Sequence, residues 1–284
     1  MSTAHWVAFP HPLKSYVHEG AALEKHWARL HAGDAEPYPS AAWVAAMYKA
    51  MPALTKQIGE ADAAAETLRQ AWTAHHRGAF EEATRLGESL GVLGATVATK
   101  SEGIYASYLV EDEDQRRQHF ETCAKRAEAV IAAFPKYANA HYFHAFALGR
   151  YAQSISIMKA LSQGIATKVK ASLDATLKLA PEHAEAHVAM GVYHAEIIAQ
   201  VGGMIGGLTY GVKAEKALEH LETARKLAPH APVVHLETGN VLLKLYGKKK
   251  LVEAKAAYEA AAKCKAMDAM ERLDVEQAKA ELEG

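Results

Sequence analysis

Sixteen histidines in 284 residues are the first candidates for chemistry, because imidazole is a common metal ligand. His183, His187 and His194 share one helical face at i, i+4 and i+11, with Tyr193 and Glu196 beside them. The third stands ~16 Å along the axis from the first, far beyond the ~2 Å of a zinc–nitrogen bond. His141, His187 and His235 hold one position in three successive repeated segments, and helices ~8–10 Å apart keep them from meeting at one ion. These histidines read as packing residues, and the sequence predicts neither a metal site nor a cofactor. Two cysteines, Cys123 and Cys264, make no disulfide framework and read as small buried hydrophobes. There is no G-x-S-x-G elbow, and VGGMIGGLTYG fits neither GxxxxGK[ST] nor GxGxxG. Clustered carboxylates (Glu81 with Glu82, Glu111 to Asp114) suit helix starts and solvated faces. No enzyme is expected.

Charge and hydropathy narrow the classes further. Lys and Arg number 32 against 33 Asp and Glu, a net charge of −1, which argues against a nucleic-acid partner. The start, MSTAHWVAFPHPLK, lacks a cationic segment followed by an apolar one. The most apolar stretch, 197–212, is shorter than the ~18 residues of a spanning helix and holds five glycines. A cytoplasmic, reduced setting without a stable membrane span follows as the expectation.

The elements that carry these residues repeat. Pro135, Pro181 and Pro229 each close a helical pattern, and each is followed six residues later by His141, His187 or His235. Ten residues after each proline stands a small residue (Ala145, Gly191, Gly239), where two helices could approach closely. Ala254, Tyr258 and Ala261 follow Gly239, and Ala217, Leu221 and Ala224 precede Pro229. Ala71 and Ala83 fit an earlier unit. This pattern resembles the tetratricopeptide repeat (TPR), which implies an all-α solenoid of helical hairpins. The divisions expected are an N-terminal helical pair over 1–60, repeats over 61–266 and a C-terminal capping helix over 267–284. Within the first, 14–33 reads as one helix ended by Gly33, and Ser40 as a cap for the next.

The prolines lie 46 and 48 residues apart, so the repeats are elongated by inserts at 157–168 and 200–213. In this the C-terminal half resembles the regulator of microtubule dynamics family, through Leu148, Gly149, Leu179, Pro181, His187, Met190, Gly191, Tyr210, Lys216, Ala217, Leu218, Pro229 and Gly239. No basic surface accompanies that resemblance, so microtubule association is not expected from it.

The repeat register places Leu68 and Trp72, then Tyr142, Phe146 and Arg150, on the concave face. Val188, Val192 and Glu196 follow, then Leu236, Asn240 and Lys244. This groove is apolar and lacks a Lys/Asn/Arg clamp for acidic peptide tails. Its expected occupant is a protein or peptide partner presenting an amphipathic helix. The alternative is a lipid or small apolar ligand held by the inserts, with Ile197, Met204, Ile205, Leu208 and Tyr210 forming its pocket. The apolar HWVAFPHPL stretch near the N-terminus is the candidate cover for the groove.

Overall fold

The structure is a computed structural model that describes residues 6–155 and 157–284. Helices make up 78% of it, and the described residues contain no strand. Three short helices open the chain: α1 (Ala21–Leu30), α2 (Ala41–Ala50) and α3 (Ala53–Ile58). Ser40 caps α2 as expected, its side chain accepting from the Trp43 amide at 3.1 Å. The helix expected over 14–33 is shorter, because Gly20 takes φ +53 and α1 begins only after it.

Five antiparallel hairpins follow. The first two are α4 (Ala61–Arg77) with α5 (Phe80–Glu88) and α6 (Ala95–Tyr108) with α7 (Glu113–Ala133). The third pairs α8 (Ala138–Gln153) with α10 (Ile165–Leu179) across an inserted α9 (Ile157–Ser162). The fourth pairs α11 (Ala184–Val201) with α13 (Ala214–Leu227) across α12 (Gly203–Tyr210). The last is α14 (Pro232–Tyr246) with α15 (Leu251–Ala262). The first helices of successive hairpins also touch one another, which makes the stack a solenoid.

The small residues permit this stacking. A Cβ on Gly239 would stand 2.3 Å from the Tyr258 ring, and one on Gly191 would stand 2.9 Å from Leu221. Ala71, Ala83, Ala217, Ala224, Ala254 and Ala261 are buried at the same kind of helix contact. A histidine closes each of the three proline turns. His141, His187 and His235 donate through Nε2 to the carbonyls of Pro135, Pro181 and Pro229 at 2.9, 2.9 and 2.8 Å. The imidazole thus satisfies a carbonyl that the helix stop leaves open, a role beyond the packing expected of it.

The final helix, α16 (Ala269–Glu283), packs on α14 and α15 and then reaches α4 at the other end of the solenoid. Tyr108 of α6 hydrogen-bonds Asp274, and His76 of α4 bonds Asp268 at 2.9 Å. Besides lying on α14 and α15, the helix expected as a C-terminal cap also bridges to the N-terminal hairpin. The physical reason is its burial pattern: Ala269, Met270, Leu273, Val275 and Ala278 are all covered.

Candidate functional site

The 31–36 turn reaches into the centre of the solenoid. Its Gly33 carbonyl accepts from the Glu185 amide at 2.8 Å. Lys100 of α6 meets Asp34 at 2.5 Å and Glu185 of α11 at 3.6 Å. Burial would lift the Asp34 carboxyl, yet the Lys100 ammonium and His31 hold it well below the carboxylate range. Glu36 goes the other way: burial and the nearby Asp34 charge push it up to about 8, leaving it a neutral partner for Tyr137 and Asn139. This polar hub fixes α6, α8 and α11 against one another. A buried charge network of this kind sets geometry more than it adds stability.

Beside the hub, the same helices enclose a cavity of about 230 Å³. Six of the residues that the repeat register assigns to the groove line it: Tyr142, Phe146 and Arg150 of α8 and Val188, Val192 and Glu196 of α11. Ile197 and Tyr210 line it too. Both inserts contribute walls: Ala160, Ile165 and Ala166 from the first, and Gln200, Val201 and Tyr210 from the second. From α16 come Met270 and Asp274, and from α6 come Ile104, Ser107 and Tyr108. The repeat register missed these last five, because neither helix shows a marked apolar stripe facing inward.

The cavity is apolar with few fixed charges. Burial pushes Asp274 up to about 8, aided by the fields of Asp268 and Glu271, so its carboxyl is neutral at pH 7. Burial likewise raises Glu185, against the pull of Lys100. Arg150 faces Glu237 at 3.4 Å and lies over the Phe146 ring, 5.8 Å from its centroid. Lys244 pairs with Glu196.

Other candidates lie elsewhere. Leu68 and Trp72 sit in the N-terminal core, each 2% exposed, with Trp72 edge-on to Trp27 at 5.7 Å. They are not groove residues, because α1 and the 31–36 turn cover that stretch of the face. Leu236 is buried with Tyr258, Ala261 and Ala278 under α15 and α16, and Asn240 accepts from the Tyr258 hydroxyl at 2.8 Å. Met204, Ile205 and Leu208 do not line the cavity: they project outward from α12, 82%, 59% and 86% exposed. The N-terminal stretch covers a different place, its His5 lying outside the described residues. Trp6 stacks on Tyr105 at 4.0 Å, and Phe9 packs on Phe80 and Gly78.

Over residues 98–284 the chain matches the model of regulator of microtubule dynamics protein 1-3. It belongs to that family. The matched segment begins in α6 and runs through every element that lines the cavity. Among solved structures it is similar to a thermophilic TPR protein of Thermus thermophilus, with a TM-score of 0.55 at 15% identity. That similarity covers 76% of this chain and 99% of the other, and it shows the TPR-like solenoid fold. No curated protein matches the chain. No helix among the described residues is long and apolar enough to cross a membrane.

The histidines first considered for metal are otherwise engaged. His183 caps α11 through Nδ1 and meets Asn139 through Nε2 at 2.7 Å, and His194 accepts from the Lys213 amide. His187 meets His220 at 2.9 Å. A different trio converges instead: ligand atoms of His75, His76 and Asp268 lie within 4.8 Å of one another. Sequence spacing gives no hint of it, since 192 residues separate His76 from Asp268.

Proposed function

We propose that this protein is a non-catalytic TPR-like binding protein whose inner cavity takes up an apolar chain, such as the tail of a single-chain amphiphile. The TPR-like fold is typically non-catalytic, and fold and family together support an interaction scaffold as the general role. The observation that carries the finer reading is that both inserts lengthening the repeats line one cavity. Its size fits: about 230 Å³ exceeds the ~150 Å³ apolar void known to admit benzene. Arg150, Gln153, Glu196 and Gln200 supply polar groups for a head group. The exposed Met204, Ile205 and Leu208 on α12 form an apolar lip beside it, suited to meeting a micelle or bilayer surface.

The test is uptake of a fluorescent fatty acid, supplied free and supplied in vesicles. Leu208→Ser with Met204→Ser should leave affinity for the free probe unchanged and slow uptake from vesicles. An absence of saturable probe binding would refute the proposal. The partner-helix reading is favoured by one observation, that the inner face already accepts α16. A copurified polypeptide displaced by no amphiphile would establish it instead.

A further inference from the structure

His75 and His76 lie in the last turn of α4, and Asp268 is the N-cap of α16. They are 0%, 1% and 2% exposed. His75 Nδ1 pairs with Ser101 Oγ at 3.0 Å, and His76 Nδ1 pairs with Asp268 Oδ2 at 2.9 Å. The Nε2 atoms of both rings are buried without a protein hydrogen-bond partner. A third such atom, Nε2 of His31, is close by, with its ring centroid 5.2 Å from that of His76. Buried ring nitrogens without a partner are rare, and three of them gathered beside one carboxylate call for an explanation.

We propose that His75, His76 and Asp268 bind a divalent transition-metal ion of the zinc type, which ties the start of α16 to the end of α4. One ring nitrogen of each histidine and an Asp268 carboxylate oxygen lie within 4.8 Å of one another, a ligand set that zinc accepts. The ion would enter between His76 Nδ1 and Asp268 Oδ2, now 2.9 Å apart, with the fourth position left to water or to His31. The Ser101 hydroxyl engages the far nitrogen of His75 and so leaves Nε2 as its ligand atom, the outer-shell contact that metal-binding histidines commonly make. The nearest ammonium, Lys100, is already matched by Asp34 and Glu185. Sulfur takes no part: Cys123 is directed at the Thr99 carbonyl and Cys264 at that of Ala260. Since α16 supplies Met270 and Asp274 to the cavity wall, an ion at its first turn would also fix that wall.

Because the trio is closed to solvent, zinc is added while the full chain refolds from denaturant, with chelator-treated protein as the comparison. One tightly held equivalent and a higher Tm than the metal-free protein are expected. Cobalt in place of zinc should give visible d–d bands without thiolate charge transfer. His75→Gln and His76→Gln should weaken binding at least as much as loss of an outer-shell partner does, ~10–100-fold. His187→Ala with His220→Ala, which removes a histidine pair 2.9 Å apart elsewhere in the fold, should leave zinc binding unchanged. If the first two variants fail to fold, X-ray absorption of the wild-type zinc protein decides. A shell containing two imidazoles supports the site, while a sulfur-containing or fully hydrated one overturns it. Refolded protein that retains no zinc overturns it equally, as does binding lost only with His187 and His220.

Discussion

Gly149 gives the sharpest test of the cavity. It lies in α8 on the cavity wall, with ordinary helical backbone, and a Cβ built there meets nothing within 4 Å. Replacement by Leu has two favourable effects. Helix propensity improves by ~0.7 kcal/mol, the difference between Gly and Leu in a helix interior. Filling apolar space contributes about 1 kcal/mol more, taking half of a full Leu burial because the cavity is open at one side. The sum of about 2 kcal/mol corresponds to a Tm increase of ~4–8 °C, using the shift per kcal/mol of a domain of 150–250 residues. Saturable binding of an apolar fluorescent probe should fall in the same variant, since Leu occupies the volume the probe needs. Thermal melts by circular dichroism and probe titrations read the two effects separately. A large drop in Tm would show that the space at Gly149 is not open. Unchanged probe binding in a stable variant would show that the cavity is not the binding site. Phe146→Glu is a poorer test, because Phe146 also packs on Phe120 and fills the space above Gly103.

Gly239→Ala drives its Cβ into the buried Tyr258 ring and should destabilise by about 1–3 kcal/mol, read as a lower midpoint in urea. His235→Phe keeps ring volume but loses the bond to the Pro229 carbonyl, so a loss of about 0.5–1.5 kcal/mol is expected, against none for pure packing. Stability should fall between pH 6.5 and 8. Glu36 and Asp274, both pushed up to about 8 chiefly by burial, keep protons there that the unfolded chain has released since about pH 4. Each such proton lowers stability by ~1.4 kcal/mol per pH unit in that window. The opposing histidines, His31 and His183, carried to about 4 by burial, act only below pH 6.5. Asp274→Asn should flatten part of the slope in melts run across that range, and an unaltered slope would contradict the assignment.

The chain by itself determines the repeating hairpins. Proline at the helix stops, small residues at helix crossings and apolar spacing of 3.6 are local features, and each acts through neighbours within one hairpin or the next. Part of the cavity wall was legible for that reason: Tyr142, Phe146, Val188 and Val192 hold equivalent positions in consecutive repeats. Leu68, Trp72 and Leu236 hold equivalent positions too, but whether such a face stays open depends on what else lies against it. At one end α1 and the 31–36 turn fill it, and at the other α15 and α16 do. Those contacts join residues a hundred or more apart, such as Glu36 with Asn139 and His76 with Asp268. No periodicity encodes them. The tertiary structure alone decided them, because burying an acid or an imidazole becomes tolerable only when folding brings a distant partner to it.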